Sequence, residues 1–373
     1  MTDNFKQKLL SSLAQSCYEY QDNNTDYSLF GSGLEAKIAR LRQQLVDKIL
    51  QLASRIGFFK KPQKFNEQLN YLIDNLEKFE KFYYLLHDEY SKKVLIEILK
   101  LRVLTWRHVR LPLENKTYWT NHSSISRYLK KKNVKKSGVS WLSRYKLSEE
   151  NGSVELDCNT MSVLDVFLLN QYSYRRGSIS IQVNHGDIVI DGGGCWGDTT
   201  LYFANKTGSN GKVYCFEFLP ENIEILQNNL SMNLQLANRV KVIQKAIWDK
   251  SDEKLSFSDS GPGTRIQINS DDNLHKVSTL SIDDFVNQEH ITKVDFIKLD
   301  IEGSEMRALY GAEKTLQTFK PMLAIAGYHG QDDLITISSY LSNLVPEYKF
   351  FIDHLYMYEN ETILFAGFKC DVP

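Results

Sequence analysis

The chain is expected to fold as an α/β protein. A largely parallel sheet carries helices on both faces, closes on an antiparallel C-terminal hairpin and follows a helical N-terminal region. Three observations carry this reading. From residue 187 onward, strand-like and helix-like segments alternate. The first 110 or so residues show helical periodicity. Two β-rich runs near the C-terminus are joined by a loop too short for a parallel crossover.

Residues 34–56 place Leu34, Ile38, Leu41, Leu45 and Ile49 at steps of three and four, the spacing of an amphipathic helix. Residues 63–84 and 87–107 read the same way, and Pro112 closes the last helix. Residues 138–158 change period and predict a hairpin with Asn151-Gly152 in its turn. A helix at 161–171 follows. Then come strand 187–191, helix 198–206, strand 212–217, helix 220–232, strands 239–244 and 294–300, helix 304–317, strand 321–327 and helix 332–343. YKFFID (348–353) and ETILFAGFK (361–369) form the closing antiparallel pair. The polar stretch from Asp249 to Leu280, with GPGTR at 261–265, reads as a long excursion, and such loops are commonly functional. The expected divisions are a helical region at 1–137, a hairpin and connecting segment at 138–183, and a nucleotide-binding domain at 184–373.

A 373-residue chain with 42% hydrophobic and 12% aromatic residues builds a full-sized core. The N-terminal stretch MTDNFKQKLL lacks the pattern of a signal peptide, and no run approaches the roughly 18 apolar residues of a spanning helix. The five cysteines are scattered without a CxxC pair, so neither a disulfide framework nor a zinc site is suggested. A cytoplasmic protein is expected. The net charge of −1 hides an asymmetry: residues 1–150 carry 27 Lys and Arg against 16 Asp and Glu, and the remainder 18 against 30. Between Lys100 and Lys146 the only acid is Glu114. Such a stretch is either a solvated face or a patch for an anionic partner.

Residues 188–204 read IVIDGGGCWGDTTLYFA. A strand ends on Asp191, glycines follow, and a helix begins, which is how a nucleotide is held against a helix N-terminus. Glu217 ends the next strand, where an acid accepts both hydroxyls of a ribose. That suits NAD and S-adenosylmethionine equally. Three features favour the second. Asp191 stands where a pyrophosphate would pass; Asp198 occupies the helix start and would compete with a phosphate for the helix dipole. The chain also stops after its antiparallel pair, and its large extra region comes first.

VIDGGGCWGDTTLYFA, KVYCFEFLPENIEIL, VDFIKLDIEGSEMRALYGA and LAIAGYH occur in this order over residues 160–370. Together they resemble the FkbM family of S-adenosylmethionine-dependent methyltransferases, and so imply a class I methyltransferase Rossmann-like sheet. The family's turn is D-x-G-x-x-x-G, which Asp191, Gly193 and Gly197 fit. The resemblance implies O-methylation, with S-adenosyl-L-methionine as cofactor, of a hydroxyl on a sugar, glycan or related small molecule. It carries nothing over to the first 150 residues.

Methyl transfer to a hydroxyl requires in-line alignment and removal of one proton. The cofactor-binding candidates are Asp191, Gly193, Gly197, Glu217, Ala246 and Asp300. Asp300 ends its strand and either positions the methionine ammonium or faces the acceptor hydroxyl; capping the next helix is the bland alternative. Glu302 and Glu305 follow on the loop and helix start, where a dipole alone favours acids. Lys298 sits among apolar residues, placed for burial against an acid. His329 follows the next strand and is the candidate general base, neutral near pH 7. The catalytic candidates are therefore His329, Asp300 and Glu305. His354, on the closing hairpin, is a weaker candidate, as is Arg265 for an anionic acceptor. Trp196 and Trp248 read as packing. Oxygen and imidazole ligands at Asp300, Glu305 and His329 would suit Mg or Mn, but no spacing demands a metal and none is expected.

Two other classes compete. A binding module that had lost methyl transfer would have no reason to keep Asp191, Glu217, Asp300 and His329 together. A nucleic-acid methyltransferase would use residues 100–146 as its electrostatic footprint. However, the fourth strand ends in DIEG and not in the (D/N)PP(Y/F) of amino-methylating enzymes. The expected partner is therefore a small-molecule or glycan acceptor, anionic or carrier-linked where the basic region meets it, and not nucleic acid.

Overall fold

A computed structural model of the chain describes residues 4–21, 24, 34–136, 139–257, 263–267 and 275–368. At 34–36, 135, 136, 139, 140 and 267 the description is of the backbone alone. Two compact units form: Met1–Lys116 with Ile352–Thr362, and Thr117–Phe351 with Ile363–Pro373.

The first unit contains helices α1 (Phe5–Ser16), α2 (Leu34–Arg55), α3 (Phe65–Asp74), α4 (Leu76–Leu85) and α5 (Glu89–Leu104). Asp88 caps α5 by accepting from Ser91 N at 2.8 Å, and the helix buries Val94, Leu95, Ile98, Leu99 and Leu101. The expected helix at 63–84 breaks near Asn75 into α3 and α4. α2 forms where its periodicity placed it, but Leu41, Leu45, Ile49 and Leu52 on its apolar stripe are exposed. Residues 352–362 are stitched onto α5: Ile352 N donates to Ser91 Oγ at 3.1 Å and Tyr90 OH to Asp353 Oδ1 at 3.0 Å.

Helix α6 (Asn115–Ser124) leads into β1 (Leu129–Lys136), β2 (Val139–Glu149) and β3 (Gly152–Cys158), a three-stranded antiparallel sheet. The expected hairpin is β2 and β3. The helical region expected at 1–137 ends sooner, because the basic run LKKKNVKK is strand β1 and adds itself to that hairpin. One turn of helix, α7 (Thr160–Ser162), widens to a π-helix over Val163–Leu168, and β4 (Tyr174–Arg176) pairs with β5 (Ile179–Ile181).

Then comes the main wound sheet: β6 (Ile188–Gly192), α8 (Asp198–Lys206), β7 (Lys212–Phe216), α9 (Pro220–Ser231), α10 (Leu234–Ala237) and β8 (Val240–Ile243). The polar excursion folds into a second small sheet of β9 (Ala246–Ile247), β10 (Lys254–Phe257), β11 (Ile266–Gln267) and β12 (His275–Leu280), in the order β11-β10-β12-β9. Gly261 and Pro262 of GPGTR lie outside the described residues. The chain returns through α11 (Ile282–Gln288), β13 (Phe296–Leu299), α12 (Glu305–Tyr310), α13 (Glu313–Phe319), β14 (Met322–Ala326), α14 (Asp333–Leu344), β15 (Lys349–His354) and β16 (Thr362–Gly367). The helix expected at 304–317 divides at Gly311, whose carbonyl accepts from Asp283 N at 2.8 Å.

The seven-stranded order is β15-β16-β14-β13-β6-β7-β8. From β14 to β8 neighbouring strands are parallel, and β16 runs antiparallel to β14. β13 and most of β6, β7 and β14 are buried, as strands covered on both faces must be. The chain winds outward from β6 to β8, then crosses back to β13 on the other side of β6. That reversal opens a crevice at the carboxyl ends of β6 and β13, where folds of this kind bind ligands.

Candidate functional site

The turn after β6 carries Gly193 at φ 79° and Gly197 at φ 84°. A Cβ on Gly193 would lie 2.0 Å from the carbonyl oxygen of Asp300, so the turn can lie directly against the end of β13 only as glycine. Gly193 N and Gly194 N both donate to Phe216 O at 3.0 Å, which anchors the turn to β7 as well.

Asp191 is fully buried beneath this turn. It accepts from Thr199 Oγ1 at 2.9 Å and Thr200 Oγ1 at 2.7 Å, and pairs with Lys298 Nζ at 3.2 Å. Lys298, on β13, also donates to Gly192 O at 2.9 Å and Gly193 O at 2.6 Å. Burial pulls its pKa down, but Asp191, Asp300 and Asp198 outweigh that and hold it above the ordinary lysine value. The sequence placed Asp191 near a bound ligand; the structure sets it under the turn as the acid of a buried ion pair.

Glu217 follows β7 and is 6% exposed. Its Oε1 accepts from Phe218 N at 2.7 Å and Leu219 N at 2.8 Å, and its Oε2 from Asn222 Nδ2 at 3.3 Å. It thus satisfies backbone donors at the start of α9, whose N-cap Leu219 has no capping side chain. Burial raises its pKa, and these hydrogen bonds act the other way. Asn222 also accepts from Trp196 Nε1 at 3.1 Å, so it joins the glycine turn to Glu217; nothing in its spacing marked it beforehand. Ala246 is buried in a cluster with Leu219, Phe257 and Val277, against which Phe218 packs. A cavity of about 520 Å³ opens beside that cluster, lined by Phe218, Gln244, Phe257 and His275 among others; Asp191, Asp300 and His329 do not line it. Trp196 and Trp248 are buried packing, Trp248 with the Arg307 guanidinium 5.5 Å from its ring centroid.

The ends of β13 and β14 bring four of the named side chains together. Glu305 Oε1 accepts from Ile301 N at 2.9 Å and meets His329 Nδ1 at 3.0 Å. His329 Nε2 stands 3.5 Å from Asp300 Oδ1 and 3.4 Å from Glu302 Oε2. Glu302 has φ 56°, a left-handed backbone in the loop between β13 and α12. Tyr172 OH donates to Asp300 Oδ2 at 2.8 Å, and the Tyr328 hydroxyl is 3.3 Å from the same carboxylate. Both tyrosines escaped the sequence reading. Tyr172 lies 128 residues before its partner, and no local pattern joins them.

The expected neutral state of His329 is overturned by these neighbours. Burial disfavours the charged ring, but the Glu305 hydrogen bond and the charges of Asp300, Glu305 and Glu302 raise its pKa to about 9. In this arrangement the ring is a cation near pH 7 and offers no nitrogen to a proton. Burial raises the Glu302 carboxyl, opposed by His329 and by Arg265, an exposed residue. His354 belongs to the first unit, buried with its Nδ1 2.7 Å from Thr362 Oγ1.

This donor set fits a ligand with a diol and cationic groups. Acids lie at the end of β7, at the start of α8 and at the end of β13, and Asp198 already compensates the α8 dipole where a pyrophosphate would need it. The sheet order and crevice are those of class I S-adenosylmethionine-dependent methyltransferases. S-adenosyl-L-methionine is the cofactor of that class. Residues 180–360, just under half of the chain, match the model of the Methyltransferase FkbM domain.

Among solved structures, the chain is similar to the methyltransferase FkbM from Methylobacillus flagellatus KT, with a TM-score of 0.50 and 19% identity over 85% of this chain. This chain spans 65% of that protein's length. Fibrillarin of Aeropyrum pernix, solved with natively bound S-adenosyl-L-methionine, has a TM-score of 0.35 and 12% identity, covering 60% of this chain and 82% of its own. A putative rRNA methylase from Clostridium thermocellum has a TM-score of 0.33 and 15% identity, covering 49% of this chain and 87% of its own. No curated protein matches the sequence. Among the described residues, no helix is long and apolar enough to cross a membrane.

Proposed function

We propose that the chain transfers the methyl group of S-adenosylmethionine to a hydroxyl of a sugar, glycan or related small molecule. One observation supports this above the others: Asp300, Glu302, Glu305 and His329 converge beside the Gly193 turn, so groups that can handle a proton adjoin a nucleotide-binding crevice.

In this reading Gly193 and Gly197 shape the turn, and the Asp191–Lys298 pair holds it to β13. Glu217 receives the ribose hydroxyls, held in place by the Asn222 amide, and Ala246 borders the adenine. The bound cofactor supplies a methyl group already activated on a sulfonium. With that cofactor bound, Asp300 would accept the proton of the acceptor hydroxyl as its oxygen takes the methyl group. Tyr172 orients Asp300 for that task. Glu305 and His329 are positioning residues, since His329 in this arrangement is already protonated.

Arg127, Lys130, Lys131 and Lys132 are exposed, which favours an anionic or carrier-linked acceptor. The test is transfer of labelled methyl from the cofactor to a panel of neutral and phosphorylated saccharides. Asp300→Asn should lose transfer while keeping S-adenosylhomocysteine binding. Equal turnover by wild type and Asp300→Asn would reject Asp300 as proton acceptor.

A further inference from the structure

The ring of His329 is fixed at one nitrogen and unsatisfied at the other. Its side chain is 3% exposed, and Nδ1 is held by Glu305 Oε1 at 3.0 Å. Nε2 is buried and makes no hydrogen bond. A buried polar atom left this way costs about 1–3 kcal/mol, so its placement calls for a ligand. Nε2 points between Asp300 Oδ1, at 3.5 Å, and Glu302 Oε2, at 3.4 Å. One donor atom from each of the three residues lies within 4.8 Å of the other two.

We propose that Asp300, Glu302 and His329 form a binding site for a divalent first-row cation of the Mn2+ type, which takes the place of the Nε2 proton of His329 and releases that proton to solvent. Ligand atoms about 2.1 Å from one ion lie roughly 3.0–3.5 Å apart at octahedral to tetrahedral angles. The two separations from Nε2 fall in that range without rearrangement. One imidazole with two carboxylates suits Mn2+ better than Ca2+, which takes oxygen alone, or structural zinc, which takes thiolates.

The surrounding residues complete the argument. Glu305 stands behind His329 as the carboxylate that orients a metal-bound imidazole. Tyr172 holds Asp300 by Oδ2, while Oδ1 faces His329 and takes a longer hydrogen bond from the Tyr328 hydroxyl at 3.3 Å. A three-residue set leaves coordination positions for water or for an acceptor hydroxyl, which the ion would make easier to deprotonate. The site stands on its own geometry; only this last role rests on the proposed methyl transfer.

The test is Mn2+ binding to the full chain, stripped with EDTA and desalted, read from loss of the free Mn2+ electron paramagnetic resonance signal. Wild type should bind a single Mn2+ per chain. Glu302→Gln, at a side chain 28% exposed and therefore tolerant, should weaken binding at least about tenfold with an unchanged circular dichroism spectrum. Glu305→Gln, which keeps an oxygen for the Ile301 and Gly303 amides but removes the charge behind the ring, should weaken it about ten- to hundredfold. Absence of binding by wild type at millimolar Mn2+, or equal binding by Glu302→Gln, would overturn the proposal. S-adenosylhomocysteine titration of the same samples separates the two readings. Cofactor binding without Mn2+ binding defeats the metal site alone; Mn2+ binding without methyl transfer to any acceptor defeats the proposed function alone.

Discussion

Replacing Lys298 by methionine keeps the length and apolar stem of the side chain but deletes the cation that neutralises Asp191. Both side chains are buried, and they stand 3.2 Å apart. At an effective dielectric of about 20, that separation corresponds to about 5 kcal/mol of attraction, opposed by the desolvation of both ions. Thr199 and Thr200 still donate to Asp191 after the substitution, but no positive charge remains beside it. Breaking one side of a buried pair costs about 3–5 kcal/mol, and that is the expected loss for Lys298→Met. Asp191→Asn should cost less, because Lys298 keeps the Gly192 and Gly193 carbonyls and the nearby Asp300 charge. The double variant should recover at least about 2 kcal/mol relative to the sum of the singles. Urea unfolding of the four proteins, followed by circular dichroism, measures the cycle. A Lys298→Met variant within about 1 kcal/mol of wild type would refute the account of this pair, as would strict additivity.

Other expectations concern separate parts of the molecule. His354 is buried, and burial lowers its pKa from 6.5 to about 4, so the unfolded chain takes up a proton that the folded one refuses. The stability this gives is present above pH 6.5 and is lost as pH falls toward 4, by about 3 kcal/mol in all. Unfolding midpoints at pH 7.5 and 4.5 should therefore converge between wild type and His354→Gln, and parallel pH dependences would count against it. Gly193→Ala should cost at least about 2 kcal/mol, from the positive φ and the clash with the Asp300 carbonyl, and should abolish S-adenosylhomocysteine binding. Asn222→Ala removes a partner from both Trp196 and Glu217; a loss of about 1–3 kcal/mol with weakened cofactor binding is expected, and unaltered affinity would separate Asn222 from the site.

What the sequence made legible is local. Strand, turn and helix are contiguous around Asp191, and the left-handed positions fall on Gly193 and Gly197, the D-x-G-x-x-x-G pair. Gly192 and Gly194, which fill the free positions of that pattern, do not adopt positive φ. Glu217 was legible as a position, because parallel pairing of β6 and β7 sets the end of β7 beside the turn. His329 was legible as a position and not as a chemical state. Its charge depends on a left-handed Glu302, a buried Glu305 and Asp300, which converge only once β13 and β14 lie side by side. β1 was hidden because LKKKNVKK lacks β-branched and aromatic residues apart from Val134. The β9–β12 sheet was hidden because its strands are only 2–6 residues long within polar sequence.

The measurement that bears most directly on the central claim is calorimetric titration of the full chain with S-adenosylhomocysteine and, separately, with NAD. The account expects micromolar binding of S-adenosylhomocysteine, no binding of NAD, and loss of the first in Glu217→Ala with the fold confirmed by circular dichroism. Binding of NAD, or S-adenosylhomocysteine affinity untouched by Glu217→Ala, would contradict it.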